Sequence, residues 1–294
     1  MPTPLQDFLT FLISIVVEAL PFVVLGIMVS VAVQVWLPEG WLLRRLPKRR
    51  WVRQVTISLL GVFVPVCECG NVPLARGLLV QGLSASESLV FLLASPVLNP
   101  VTIITTQQAF ANDPVVFAGR VAGGCNLRAN VVGWVFMRRR RDELLQPDFI
   151  KTCQISRHIH ERRWVRSLEL FRHEASHMLP ALLFGAAAAA LVQVAVPREI
   201  LLTLGSNPAW SIAAMLVLAF VISICSNVDA FFALAFRDTF TAGSLVSFLV
   251  FGPMIDIKLL SLMRTTYQPK VLMQVSLLVL LMAAAIGLGV NYVL

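Results

Sequence analysis

Long apolar stretches decide what this chain can fold into. A helix that crosses a bilayer needs about 20 apolar residues. Eight such stretches lie at 8–37, 55–81, 87–111, 114–137, 174–197, 209–236, 240–263 and 271–294. They are continuous and do not alternate with polar residues, which argues against a membrane β-barrel. We therefore expect an all-α polytopic membrane protein with about six to eight transmembrane segments.

Composition and cysteine content exclude several other classes of protein. Hydrophobic residues make up 57% of the 294 residues and charged residues 14%, against roughly 45–50% and 25% in soluble domains. That balance excludes a soluble enzyme and a disordered chain. The five cysteines are too few and too scattered for a disulfide framework. The phosphate-binding pattern G-x-x-x-x-G-K-S/T does not occur, so we expect no cofactor and no ATP-driven transport by this chain alone.

The net charge of +8 comes from basic blocks between the apolar stretches. One block covers 44–53 and a longer one covers 138–172. Such blocks are typical of the cytoplasmic loops of membrane proteins. They carry no known nucleic-acid-binding motif. We expect the lipid bilayer and a small-molecule substrate as partners, and no nucleic acid.

Four of the apolar stretches are interrupted by prolines and polar residues. A proline inside a helix removes a hydrogen bond and clashes with the preceding turn. Non-helical backbone in a membrane is tolerated only where protein or a water-filled cavity satisfies it. The residues that we expect to break helices are Pro65, Pro73, Pro96, Pro100 and Pro253.

The interruptions recur at a nearly constant spacing. Pro21 matches Pro180 at a spacing of 159, and Cys67 matches Cys225 at 158. A third match, at 157, joins the Ser-Pro-x-x-Asn of the first series to the Gly-Pro-x-x-Asp of the second. An ordered series of this kind indicates an internal repeat. We predict two homologous membrane halves, 1–137 and 173–294, joined by the basic loop 138–172.

The positions of the charges decide how the two halves are oriented. If 55–81 and 209–236 are re-entrant, the loops 44–53, 138–172 and 264–270 share one side of the membrane, with 18 of the 24 Lys and Arg residues. That distribution obeys the positive-inside rule. Each half then crosses the membrane three times, so the repeat is inverted. Taking 87–111 as the re-entrant segment of the first half leads to the same conclusion.

The sequence Cys67-Glu68-Cys69-Gly70-Asn71 is the sharpest chemical feature. Two thiols at a helix break can bind one soft ion or a thiophilic metalloid, and Cys225 at the matching break could supply a third sulfur. Carboxylates within membrane segments usually serve an ion path or pair with a cation. Asp229 and Asp256 are such carboxylates, and they occupy the places that Asn71 and Asn99 hold in the first half. Lys258 and Arg76 are the obvious cations to pair with them.

The segment His173-Glu174-Ala175-Ser176-His177 matches H-E-x-x-H. On a helix, two histidines at this spacing can bind zinc while the glutamate acts as a general base. A membrane zinc metalloprotease is therefore the alternative to a transporter. The motif has no assigned third ligand and no copy in the first half, and it lies where a basic loop meets the start of a helix.

The series of motifs resembles a known family. P-x-C-x-C-G-x-x-P at Pro65 to Pro73 and F-L-L-x-S-P-x-x-N-P at Phe91 to Pro100 belong to the first half. C-S-x-x-D-A-F at Cys225 to Phe231 and F-x-x-x-G-P-x-x-D at Phe248 to Asp256 belong to the second. Together they resemble the predicted-permease family that includes the trivalent organoarsenical efflux permeases of the ArsP type.

The resemblance implies a bacterial inner-membrane permease whose basic loops are cytoplasmic. It matches the family's cysteine pair at Cys67 and Cys69, and it departs from the family at Glu68, where a small Ser is usual. The added carboxylate makes the site more negative and leaves room for a metal cation. We expect gradient-driven export of a small thiophilic solute. The expected substrate-binding residues are Cys67, Glu68, Cys69, Asn71, Asn99, Cys225 and Asn227, and the expected proton-coupling residues are Asp229 and Asp256.

Overall fold

The computed structural model is mainly helical over the residues that it describes. The described residues are 4–38, 40, 44–63, 67–111, 113–124, 127–155, 163–195, 208–237 and 239–293. Within these ranges there is no β-strand, and a single isolated bridge joins Leu145 to Tyr267. The expected all-α fold is confirmed.

The helices follow one another with short connections. In chain order they are α1 (Pro4–Trp36), α2 (Arg50–Leu60), α3 (Glu68–Val80), α4 (Ala85–Leu98), α5 (Pro100–Ala109), α6 (Pro114–Gly124), α7 (Leu127–Phe136), α8 (Arg141–Leu144), α9 (Pro147–Ile155), α10 (Arg163–Ala195), α11 (Pro208–Ile222), α12 (Asp229–Leu234), α13 (Ala242–Phe251), α14 (Ile257–Arg264) and α15 (Pro269–Val293).

Four of the described spans are long and apolar enough to cross a membrane. They are α1, α4 together with α5, α10 and α15. Helices α11 and α13 are shorter apolar helices, over Trp210–Ile222 and Ala242–Phe251. This arrangement is that of a multi-pass membrane protein.

The helices break near the expected prolines, but two of those prolines lie inside helices. Pro73 lies within α3 and Pro96 within α4, so neither is a helix break. Both helices are buried around the proline, and their packing outweighs the loss of one backbone hydrogen bond. The second break falls instead at Asn99, which is extended (φ −58°, ψ 129°). The ring of Pro100 disfavours a helical conformation for the residue before it, which explains the break at Asn99.

The second half is interrupted in corresponding places. Non-helical residues 223–228 separate α11 from α12. Ser223 has a φ of 51°, an uncommon conformation for a residue with a side chain. Pro253 lies in the turn between α13 and α14. Pro65 lies outside the described residues.

Helices α1 and α10 are each 33 residues long and pack against each other in opposite directions. The ring of Trp36 at the end of α1 lies 5.3 Å from that of Trp164 at the start of α10. Ile15, earlier in α1, packs instead against Ala186 and Ala189, which come late in α10. The predicted repeat would make these two helices equivalent, and an inverted repeat requires equivalent helices to run antiparallel.

Helix α3 lies at the centre of the protein. All of its residues from Glu68 to Leu79 are buried. It packs against α1 so closely that a side chain at Gly26 would collide with the backbone carbonyl of Gly70. Helix α4, also fully buried, begins with a capping box formed by Ser84 and Glu87. The first residues of α3 are therefore held in the protein interior.

The basic loop is fastened to one end of the helical core. The backbone amide of Gln146 donates to Thr266 at 2.9 Å, and that of Gln268 donates to Leu144 at 3.0 Å. The ring of Phe149 stacks against the guanidinium of Arg76, with its centroid 4.4 Å from Cζ. Helices α8 and α9 thus close over the ends of α3 and α14.

Candidate functional site

The helix break at Cys67 and the helix break at 223–228 lie next to each other inside the protein. Cys67 is the N-cap residue of α3, and Cys225 lies in the interruption before α12. The thiols of Cys67 and Cys225 and a carboxylate oxygen of Glu68 all lie within 4.8 Å of one another, and all three residues are buried. Among the residues that the structure describes, this is the one set of His, Cys, Asp or Glu side chains close enough to share a metal ion.

Both carboxylate oxygens of Glu68 are hydrogen-bonded to the other half of the chain. Its Oε2 accepts from Ser226 Oγ at 3.1 Å, from the Ser226 amide at 3.4 Å and from Cys225 Sγ at 3.6 Å. Its Oε1 accepts from Lys258 Nζ at 3.2 Å. A carboxylate buried in a membrane protein needs partners of this kind to stay charged.

The charge of the site is not balanced by the groups that line it. Lys258 is also 3.9 Å from Asp256, so one ammonium faces two buried carboxylates. Glu18, half-buried in α1, adds a third carboxylate in electrostatic contact with Lys258 and Glu68. Three carboxylates and one ammonium sum to −2, which favours a bound cation or bound protons.

Asp229 lies in a second, separate ion pair. Arg120 of α6 donates to both of its carboxylate oxygens, at 2.8 and 2.7 Å. The same guanidinium donates to Thr106 Oγ1 at 2.8 Å and to the carbonyl of Ser226 at 3.3 Å. Bidentate geometry of this kind is the strongest form of the Arg–carboxylate contact. Ser226 therefore touches both ion pairs, through its side chain on Glu68 and its carbonyl on Arg120.

Sequence reasoning did not single out Arg120 or Ser226. It considered Lys258 and Arg76 as partners for the acids, and of these only Lys258 approaches Asp256. The signal for Arg120 was present, because a cation inside the apolar stretch 114–137 needs a buried acid as its partner.

Asn71 is buried, and neither atom of its side-chain amide has a hydrogen bond to any residue that the structure describes. Its backbone amide donates to the Cys67 carbonyl at 3.2 Å, which places it one helical turn from that thiol. Oδ2 of Asp256 also lacks a hydrogen bond. Leaving a buried polar group unpaired costs about 1–3 kcal/mol. Such groups beside the cluster are suited to a polar or ionic ligand.

The other expected site residues lie near the cluster or serve local structure. Cys69 is buried and its thiol neighbours that of Cys67. Asn99 accepts from the Val101 amide at 3.0 Å and so caps α5. Asn227 is half-buried and accepts from Thr102 Oγ1 at 3.3 Å, joining α5 to the interruption of the second half.

The glutamate of the H-E-x-x-H segment is paired with an arginine, whereas a zinc protease needs that glutamate free to act as a general base. Glu174 is buried and accepts from Arg76 Nε at 2.7 Å. Arg76 also donates to the side chains of Thr265 and Thr266. His177 is exposed, and its ring lies 4.8 Å from that of His173. Glu174 therefore joins α10 to α3 and is not free to act as a general base.

Comparison with known proteins now identifies the family. The family described as Predicted permease (ArsP_1) matches residues 4–292. The chain belongs to this predicted permease family. It is accordingly a membrane transport protein and not an enzyme.

Two relatives of the permease are similar over most of their length. UPF0718 protein YcgR of Bacillus subtilis is 35% identical over 261 residues, which cover 88% of each chain. The putative two-component membrane permease complex subunit of Streptococcus mutans is 30% identical over 280 residues, covering 93% of this chain and 91% of that one. No solved structure matches the permease.

Proposed function

We propose that this permease exports a small thiophilic solute, either a trivalent organoarsenical-like compound or a soft metal species. The observation that carries the proposal is the approach of Cys67 and Cys225 to within 4.8 Å, beside Glu68. Thiolate ligands select soft metal ions and metalloids. A ligand held by both sulfurs would be bound by the two halves at once.

The charges around the thiols favour a cationic substrate. Glu68, Asp256 and Glu18 together exceed the single cation Lys258. A soft dication is attracted by that excess and can take the Glu68 carboxylate as a ligand beside the sulfurs, whereas a neutral organoarsenical gains no such attraction. We therefore place a soft metal ion ahead of a neutral methylarsenical as the substrate.

We propose Asp256 as the proton-coupling residue and assign Asp229 a structural role. Asp229 is held by both nitrogens of Arg120, and its protonation would break that bidentate pair. Asp256 has one oxygen free of hydrogen bonds and lies 3.9 Å from Lys258. Its protonation would weaken only this longer contact, and Lys258 would keep its closer pair with Glu68 at 3.2 Å, as export driven by the proton gradient requires.

Alternating access would arise from movement of one half against the other. We propose that residues 1–137 and 173–294 form inverted halves, with 138–172 as a basic cytoplasmic loop of an inner-membrane protein. The antiparallel contact of α1 and α10 supports this, as do the paired thiols at equivalent breaks. In transporters with inverted repeats, a fixed central site is exposed to each side in turn.

The proposal is tested by transport in an efflux-deficient bacterium and in inverted membrane vesicles. The chain and its Cys67→Ser and Cys225→Ser variants are compared at matched membrane levels, with Cd²⁺, Ag⁺, arsenite and trivalent methylarsenite. Cys125→Ser serves as the control, because Cys125 has no counterpart in the other half. We expect the chain and the control to lower accumulation of one of these solutes and both site variants to fail. If all four proteins behave like empty vector on every compound, the thiophilic substrate is wrong.

A further inference from the structure

Two cavities lie side by side at the end of α14, where it meets the basic loop. The first is an apolar groove of about 440 Å³ between α10, α14 and α15. Phe184 and Met273 line it and are 72% and 69% exposed, so the groove opens on the outer, bilayer-facing surface. Arg264, in the last turn of α14, lines one end of it.

The second cavity is polar and has a volume of about 310 Å³. It is enclosed by the start of α9, by α3, by the middle of α10 and by the end of α14. Its polar lining comprises Arg76, Gln146, Asp148, His177, Arg264 and Thr265. Arg76 is paired with Glu174, so Arg264 is the guanidinium of this lining without an ion pair among the described residues. Arg264 lines both cavities.

The positive charge at this junction is available to a ligand. Arg264 is exposed and forms no ion pair with any residue that the structure describes. The carboxylate of Asp148 is 96% exposed and points to Lys151 at 3.8 Å, so it lies at the rim. Arg76 is 2% exposed at the inner wall, and its position is fixed by Glu174 and Thr266.

We propose that the paired cavities bind one anionic phospholipid of the membrane leaflet that carries the basic loops. An acyl chain would occupy the apolar groove, and the phosphate would lie against Arg264 and the polar cavity. An apolar groove and a polar cavity that share Arg264 in their linings match a lipid, which joins the same two chemistries covalently. Basic pockets between membrane helices are a known form of anionic headgroup recognition.

The site touches the helices that carry the thiol cluster. Gly185 lines the groove and packs against the backbone of Lys258, with room for no side chain. Arg76 is on α3, the helix that begins at Glu68. A lipid in the groove would therefore support the Lys258–Glu68 pair from outside. This last consequence, unlike lipid binding itself, rests on the proposed function.

Lipid retention by the purified full-length chain tests the proposal. Native mass spectrometry in a mild detergent would compare phosphatidylglycerol, phosphatidylcholine and free inorganic phosphate. We expect phosphatidylglycerol to be retained, phosphatidylcholine to be lost, and inorganic phosphate to compete only weakly. Arg264→Gln should weaken phosphatidylglycerol retention about fivefold, while Arg49→Gln, at an exposed position of another basic loop, should not.

A second pair of variants separates a lipid from a free anion. Ala188→Phe fills the groove without touching the polar cavity, and Leu191→Phe is its control at an exposed position outside the groove. Loss of phosphatidylglycerol retention in Ala188→Phe but not in Leu191→Phe would support a bound lipid. Equal retention of both lipids, or unchanged retention of phosphatidylglycerol in Ala188→Phe, would overturn the proposal. Elution as a single sharp species shows that each variant is folded.

Discussion

Glu68 accepts hydrogen bonds from Ser226, the residue that the predicted repeat would make its counterpart. The two positions are 158 apart, the same spacing that joins Cys67 to Cys225. In a two-fold symmetric assembly, residues near the axis contact their own equivalents. The contacts at both pairs are what two inverted halves packed around such an axis would produce. The axis would pass through the thiol cluster, which places that site between the halves.

Neutralising Glu68 should discriminate between cationic and neutral substrates. Glu68→Gln keeps the size of the side chain but removes the charge that faces Lys258. We expect the KM for a soft dication to rise about tenfold or more, because a charge-assisted contact worth roughly 1.5–3 kcal/mol is lost. Transport of neutral methylarsenite should change little.

Uptake into inverted vesicles measures both substrates, with Glu143→Gln in the exposed loop as the control. An equal loss for the dication and for methylarsenite would contradict a specific role for the charge of Glu68.

Replacing Arg120 alone should destabilise the protein more than replacing Arg120 and Asp229 together. Arg120→Leu leaves Asp229 buried without a partner, which costs roughly 3–5 kcal/mol. The double variant Arg120→Leu/Asp229→Leu should recover a large part of that loss. Thermal unfolding of the detergent-solubilised protein reports the difference.

The control is Arg237→Gln, whose pair with Asp113 at 3.9 Å is partly exposed and worth about 0–1 kcal/mol. A double variant no more stable than Arg120→Leu would show that the two side chains do not act as a pair.

Gly26 should tolerate no side chain. Gly26→Ala would push a methyl group into the backbone of Gly70, and α1 would have to move away from α3. Overpacking of this kind costs about 1–3 kcal/mol. Gly289→Ala in α15, where nothing lies within 4 Å, should be neutral or stabilising by about 0.5–1 kcal/mol. Melting temperatures that fall equally in both variants would count against the close helix contact.

Reporter fusions should place the basic segments on one side of the membrane. Fusions of green fluorescent protein or alkaline phosphatase after residues 48, 140 and 268 should all give the cytoplasmic signal. A fusion after Asp113 should give the opposite one. Different signals at 48 and 140 would rule out three crossings in the first half, and with them the inverted arrangement.

The sequence alone was sufficient for the fold class and for part of the site. Apolar length predicted the membrane helices, and the repeat spacing linked Cys67 to Cys225, which the structure places together. Arg120 was missed because it has no counterpart in the repeat, and its partner Asp229 is 109 residues away. Tertiary ion pairs of this kind depend on helix packing, which local patterns do not specify.

The helix breaks also show that local sequence patterns do not specify the effects of helix packing. Pro96 was expected to interrupt a helix, yet α4 runs past it to Leu98. The packing of α4, buried along its whole length, outweighs one missing hydrogen bond. The break at Asn99 follows from Pro100. The expectation that a proline breaks a helix was therefore right for Pro100, whereas at Pro96 packing overrides it.

The contact between Lys258 and Glu68 also has a consequence for how the protein is made. The two residues are 190 positions apart, so Glu68 is synthesised well before its partner exists. At ribosomal rates of about 5–20 residues per second, that delay is roughly 10–40 s. During that interval the first half stands in the translocon or the bilayer with an acid that nothing neutralises. Insertion of α14 brings Lys258 to Glu68 and so completes the first half as well as the second. A chain truncated before α14 should therefore be a substrate for membrane proteases.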